Sequence, residues 1–289
     1  HLVIRRQRQM CIRDSNDPIL LKLAEDHFWL SIADSDVLLW ARGVAVNSGM
    51  DVDISEPDVS PLQLQGPKSR DVLRAAFGDA PTELKYYRFM EFDWDGVPLI
   101  ISRTGWSSEL GYEIFLRDGT QGEKLWEHLM AVGGPLGLKP GHTSSIRRIE
   151  AGMLSYHADM TLANNPYEMG MGRLVDLDME ADFISKAALT LIKERGVSQQ
   201  LVGLEIDGAP FVGSNDFFWP VLKEGVKVGT VTSAIYSPRL QKNIALAMIS
   251  IDHTASGRVR QVDKLSETRA CTVVPIPFYD PKKSLATAS

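Results

Sequence analysis

The alternation of apolar and polar residues changes period repeatedly along this chain. Ile19–Leu23 and Phe28–Ala33 are short apolar runs on either side of Ala24-Glu25-Asp26-His27, the signature of a β-hairpin. Val37, Leu38, Ala41 and Val44 or Ala45 then recur at helical spacing. Asp34 or Ser35 is placed to cap the start of that helix and Gly49 lies just past its end. Pro61–Gln65 alternates like a strand and turns at Gly66. Pro67 suits the first position of a following helix, whose apolar stripe is Val72, Leu73, Ala76 and Phe77 and whose stop is Gly78. Tyr86–Trp94 and Val97–Arg103 read as two strands joined by Asp95-Gly96, a dipeptide suited to a tight hairpin turn. Tyr112–Leu116 supplies another strand, and Leu125, Trp126, Leu129 and Met130 mark the face of a helix over residues 121–132.

Hairpins alternating with amphipathic helices predict an α+β fold, with antiparallel sheets and helices packed on one face. The order of elements reads as a degenerate internal duplication, ferredoxin-like in each half. Past a helix over Lys186–Arg195, closed by Gly196, the pattern becomes short strands: 201–206, 226–231, 244–251 and 271–278. Turn signals stand at Asp207-Gly208, Glu224-Gly225 and Ser256-Gly257. This spacing predicts a small separate β-barrel or sandwich. The expected organisation is therefore residues 1–15, residues 16–195 as an α+β domain, and residues 196–289 as a C-terminal barrel.

Composition narrows the function classes. With 289 residues, 44% of them hydrophobic, the chain can bury a sizeable core. Residues 1–15 hold four arginines and one aspartate and carry +3, so against a total of −6 the remaining residues carry −9. No basic cluster lies past residue 15, which argues against binding a phosphate backbone. The two cysteines, Cys11 and Cys271, cannot build a disulfide framework or a four-cysteine zinc site, so a reducing, cytoplasmic setting is expected. The longest apolar runs, such as Val97–Ile101, fall far short of the roughly 20 residues of a membrane helix, and no apolar stretch follows the basic start as in a signal peptide.

Nucleophile elbows, Walker loops and zinc-protease motifs are absent, and Gly170-Met171-Gly172 lacks the third glycine of a dinucleotide fingerprint. The six histidines show no metal spacing, with His157 and Asp159 the nearest approach to a pair, so no metal site is expected. What remains is carboxylates beside aromatics: Asp17 at the opening of a strand, Glu113 within Tyr112-Glu113-Ile114-Phe115, and Glu150 near Arg148. A carboxylate in an otherwise apolar strand is costly to bury without hydrogen-bond donors, and a flat heterocycle bearing N–H groups would supply them. The competing readings are that Glu113 alternates onto a solvent face, Asp17 is a surface turn residue, Arg148 and Glu150 form a surface pair, and Trp106 is a core aromatic.

Several segments then stand in a telling order: Asn16-Asp17-Pro18, Ser31–Asp36, Ser55–Val59, Leu64-Gln65-Gly66-Pro67-Lys68, Gly105-Trp106-Ser107, Gly111-Tyr112-Glu113-Ile114, Arg148–Gly152, Ser155-Tyr156 and Asn165-Pro166-Tyr167-Glu168. Together they resemble the folate-binding aminomethyltransferase family typified by the glycine cleavage T protein. Thr232-Ser233, Ser237-Pro238, Leu240 and Ile244-Ala245 resemble that family's C-terminal barrel. Within the family, the Ser31–Asp36, Ser55–Val59 and Asn165–Glu168 segments are most similar to the branch that demethylates dimethylsulfoniopropionate. The glycine-cleavage branch carries Ala-Arg-Asp where this chain has Ser144 and Ser145. The chain also departs from the demethylase branch at Phe115 and at His157-Ala158.

The resemblance implies tetrahydrofolate as cofactor and transfer of a one-carbon group to it from a small-molecule donor, without nucleic acid or membrane. A methyl group on a sulfonium is the expected donor; an aminomethyl group, or folate binding without turnover, is the alternative. A homodimer is the assembly to test. By resemblance Asp17 is the catalytic carboxylate near the reacting edge of the folate, Glu113 holds the pterin ring, and Tyr112, Trp106, Arg148 and Tyr156 bind the cofactor. Aromatic walls would serve both a pterin and a cation. Residues 1–15 match nothing in the family and read as foreign sequence, like translated adapter read-through. The expectation is of a first domain lacking its N-terminal part.

Overall fold

The computed structural model describes residues 18–32, 37–161, 163–264 and 267–288. Asp17 and the expected helix caps Asp34 and Ser35 lie outside the described residues. The elements run β1 (Ile19–Lys22), β2 (Phe28–Ser31), α1 (Leu38–Val46), β3 (Ser60–Gln65), α2 (Ser69–Phe77), β4 (Phe89–Trp94), β5 (Val97–Ser102) and β6 (Gly111–Leu116). Then come α3 (Gly122–Gly133), α4 (Ser145–Glu150), α5 (Lys186–Arg195), β7 (Gln199–Ile206), β8 (Trp219–Lys223), β9 (Val226–Ser237), β10 (Lys242–Ser250), β11 (Val259–Asp263), β12 (Thr268–Val274) and α6 (Ser284–Thr287). Among the described residues these make two compact units, one drawn from the range 55–151 with 280–289, the other from the range 1–54 with 152–279.

The first unit is a four-stranded antiparallel sheet in the order β3-β6-β5-β4. Its hairpin β4–β5 turns at Asp95 and Gly96, both at positive φ (51° and 81°), as a two-residue loop matched to strand twist requires. Strand alternation sends Leu64, Leu99, Ile101, Tyr112, Ile114 and Leu116 to one face. There they pack with Val72, Leu73 and Phe77 of α2 and Leu125 and Leu129 of α3. α2 begins at Ser69 rather than at Pro67, because Gly66 O accepts from Ser69 N while Ser69 Oγ donates to Leu110 O at 3.0 Å. Trp126, expected on the buried stripe of α3, is 45% exposed. It follows Leu125 by about 100° around the helix, and the core needs only the Leu125–Leu129 edge.

In the second unit, β1 and β2 pair as the expected hairpin, with Ile19 opposite Ser31. Strands β10-β7-β12-β11-β8-β9 close into a six-stranded barrel. Leu204, Val221, Val231, Ala234, Ala245, Ala247, Ile249, Val262 and Val273 fill its core. Closure pairs every strand on both sides, which removes exposed edges. Residues 152–195, including α5, belong to the same compact unit as this barrel. Two barrel strands, β8 and β11, escape the sequence pattern for different reasons: Pro220, which has no N–H for a ladder, interrupts the apolar run Phe217–Leu222, and Val259–Asp263 mixes polar and apolar positions.

Candidate functional site

The pleat of β6 divides its side chains. Tyr112, Ile114 and Leu116 enter the helix-covered core, while Glu113 and Phe115 point to the opposite face. On that opposite face Glu113 is flanked in register by Gln63 of β3 and Ser102 of β5. Glu113 is 7% exposed, so the competing expectation of a solvated side chain is not what the structure shows. Gln63 Nε2 donates to Glu113 Oε1 at 3.0 Å, and the Thr104 hydroxyl donates to Oε2. Ser102 Oγ lies 2.5 Å from Thr104 Oγ1, and with the Thr104 proton committed to the carboxylate, Ser102 is the donor of that pair. Burial pushes the Glu113 carboxyl above its ordinary value, and the Thr104 and Gln63 hydrogen bonds pull it part of the way back.

Each carboxylate oxygen therefore uses one lone-pair direction inside the protein and retains another. A planar ligand with neighbouring N–H donors is the complement of that arrangement. Thr104 opens the loop to Gly111, which carries Trp106. The Arg148 guanidinium, on α4, lies 6.0 Å from the Trp106 ring centroid. Arg148 is 8% exposed and Glu150 2%, so these are not surface residues; Glu150 is ion-paired with Arg147 at 3.0 Å. Ser144 caps α4 by accepting from Arg147 N, which gives the departure from Ala-Arg-Asp a local structural role.

Of the residues expected in the site, Glu113, Trp106 and Arg148 fall in one unit. Tyr112 is fully buried on the other face of the sheet, where its hydroxyl accepts from Arg70 Nε at 3.4 Å. The two-residue period of the strand forbids it from sharing a wall with Glu113. Tyr156 belongs to the other unit, half-buried, with its ring centroid 4.1 Å from that of His157. Sequence reasoning missed Gln63, Ser102 and Thr104. The available signal was the polar alternation Gln63/Gln65 in a strand whose Leu62 and Leu64 face the core.

The second unit has polar clusters of its own. Asp159, 3% exposed, accepts from Ser155 N at 3.0 Å, Thr232 Oγ1 at 2.7 Å and Ser233 Oγ at 2.6 Å, which ties the 155–159 turn to barrel strand β9. In Asn165–Glu168, Asn165 Oδ1 accepts from the backbone N–H groups of Tyr167 and Glu168, and Glu168 Oε2 accepts from Asn165 N. Among the described residues no group of three or more His, Cys, Asp or Glu could hold a metal ion, and no helix is long and apolar enough to cross a membrane.

One unit thus carries helices on one face of its sheet and a buried, partly satisfied carboxylate on the other, and the second unit carries a closed six-stranded barrel. The GCVT N-terminal domain model matches residues 12–179, so the family match starts inside the 1–15 segment that was expected to match nothing, and the glycine cleavage T-protein C-terminal barrel domain model matches residues 199–280. The chain belongs to the glycine cleavage T-protein family. It is 40% identical over 258 residues to the dimethylsulfoniopropionate demethylase of Ruegeria pomeroyi, a match covering 89% of this chain and 70% of the relative. It is 32% identical over 277 residues to an aminomethyltransferase of Bacillus cereus, covering 93% of this chain and 74% of the relative. The crystal structure of glycine cleavage system aminomethyltransferase T from Bartonella henselae shares the fold, with a TM-score of 0.78 at 22% identity, over 92% of this chain and 72% of that one.

Proposed function

We propose that the chain is a tetrahydrofolate-dependent methyltransferase that takes a methyl group from a small sulfonium donor of the dimethylsulfoniopropionate type. The observation that carries the reading is the Glu113 carboxylate, buried yet left with free lone pairs by Gln63 and Thr104. Its family setting and the 40% identity to a demethylase support the choice of donor over an aminomethyl carrier. Tetrahydrofolate, when bound, supplies a ring nitrogen able to accept a one-carbon group. Glu113 would take its pterin N–H donors, Trp106 would offer an aromatic face, and Arg148 would take a carboxylate, which both the folate and a propionate donor possess.

Methyl transfer from sulfur destroys the sulfonium charge. Tight binding of that charge in the ground state would therefore raise the barrier, and the residues serve catalysis best by alignment and exclusion of water. No covalent attachment to the protein is required. Asp17 is proposed, on family resemblance, to orient the folate or to carry the proton released as the nitrogen is methylated.

The test incubates the chain with tetrahydrofolate and dimethylsulfoniopropionate and looks for 5-methyltetrahydrofolate with an equal amount of thioether. Product with an aminomethylated lipoyl carrier but not with the sulfonium would overturn the donor. Tetrahydrofolate binding with no product from either would leave a folate-binding relative, and no binding would overturn the whole reading.

A further inference from the structure

Glycines 105 and 111 bracket the loop that carries Trp106, and neither has the positive φ that commonly requires glycine. Space accounts for both. A Cβ built at either position would collide with the terminal amide of Gln65, which lies in the slot the two glycines leave open. Gln65 stands opposite Gly111 in the β3–β6 register, on the Glu113 face of the sheet. Its Nε2 donates to Thr104 O and to Tyr112 O, each at 3.3 Å, and its Oε1 accepts from Ser107 Oγ at 2.6 Å. The amide orientation is fixed by this pattern, because the reverse would set its oxygen against two carbonyl oxygens. Ser69 Oγ and Gly66 N, both donating to Leu110 O, hold the far end of the loop to the same turn after β3.

One side chain thus reaches the residue before Trp106's glycine, the residue after Trp106, and the residue before Glu113. We infer that Gln65 is a positioning residue of the folate site: its amide, admitted by Gly105 and Gly111, sets the Trp106 loop and the Thr104 backbone whose side chain holds Glu113. The inference deepens the proposed function and rests on it for its effect on ligand, while the ordering of the loop is independent of any ligand. The hydrogen bonds of Gln65 go to Thr104, Tyr112 and Ser107, while those of the Glu113 carboxylate come from Gln63 and Thr104. The effect of Gln65 passes through Trp106 and Thr104. A Cβ at residue 105 would push the flexible Gln65 amide out of its slot, so Gly105→Ala should act as a loss of Gln65.

Three variants of the full chain test this: Gln65→Ala, Gly105→Ala and the pair combined. The readouts are affinity for 5-formyltetrahydrofolate by calorimetry and amide hydrogen exchange without ligand. Gln65→Ala should weaken binding on the order of tenfold or more, as misplacement of a binding group by a fraction of its size does. Amides of residues 104–111 should exchange faster, with barrel strands β7 and β12 unchanged. Gly105→Ala should match Gln65→Ala, and the combined variant should be no worse than either, since the slot is then already vacated. In a Trp106→Ala background, Gln65→Ala should cost less affinity than it does in the parent, the remainder passing through Thr104 to Glu113, a coupling that a purely structural role would not produce. Gln65→Met, which fills the slot without hydrogen bonds, keeps the test open should Gln65→Ala unfold; it should show the same faster exchange. Unchanged exchange over 104–111 in Gln65→Ala or Gln65→Met overturns the inference, as does additivity with Trp106→Ala. A parent chain that binds no folate overturns the functional reading alone, and the exchange result still decides the role of Gln65.

Discussion

Replacing Glu113 by glutamine exchanges one oxygen for an NH2 group and removes one charge, with little change in volume. Inside the protein the replacement can be absorbed. Gln63 can still donate to the retained oxygen, and the Thr104 hydroxyl can turn to accept from the new NH2 group, so both hydrogen bonds persist. Toward a ligand the change is severe. One of the two oxygens with a spare lone pair becomes a donor facing another donor, and the surviving contact loses its charge assistance. With hydrogen bonds to charged groups each contributing about 1.5–3 kcal/mol, the combined loss is on the order of 3 kcal/mol, or roughly a hundredfold in affinity.

The pH dependence has a definite sign. Burial holds the folded carboxyl above its ordinary value of 4.5, so over the window between 4.5 and that raised value the folded chain keeps a proton the unfolded chain has released. Parent stability therefore falls as pH rises through that window, and the loss persists above it; below 4.5 the penalty is absent. Glu113→Gln has no such term and should be as stable as the parent or more so at neutral pH. Ligand N–H donors favour the carboxylate, so parent affinity should rise with pH across the same window while that of the variant stays flat. Calorimetric titration with 5-formyltetrahydrofolate at several pH values, paired with thermal melts, measures both. Affinity of the variant within threefold of the parent, or a variant clearly less stable at neutral pH, would refute the assignment of Glu113 as a ligand-facing carboxylate.

Asp159→Ala removes an acceptor shared by Ser155 N, Thr232 and Ser233 at a buried site, and should destabilise the barrel unit by about 3 kcal/mol in denaturant melts, at roughly 1 kcal/mol per lost hydrogen bond; a loss below about 1 kcal/mol would mean the hydroxyls find other partners. Burial pushes the Cys271 thiol up to about 12. In a Cys11→Ser background a thiol reagent at pH 8 should leave Cys271 unlabelled until guanidinium unfolds the barrel, and rapid labelling of the native chain would contradict its buried place in β12. Asp17→Asn should lower turnover far more than folate affinity if Asp17 handles a proton; an equal fall in both would instead mark it as a binding residue.

Local chemistry made much of the architecture legible in the chain itself. The Asp95-Gly96 turn, the Val72/Leu73/Phe77 stripe and the stop at Gly196 are short-range features that mean the same thing in any context, and the structure has a hairpin, a helix and a helix end at those places. The ordered motifs likewise placed the chain in its family. Whether Glu113 meets water or is buried was a different kind of question. A strand pattern tells which residues share a face but not what covers that face, and only the assembled sheet shows Glu113 enclosed between Gln63 and Thr104, residues 50 and 9 positions away. The same limit hid the opposite placement of Tyr112, the barrel strands β8 and β11, and the use of Gly105 and Gly111 as room for Gln65. Each depends on contacts between residues far apart in sequence, whose free energy is decided by which neighbours the fold brings within a few ångströms and not by the period of the chain.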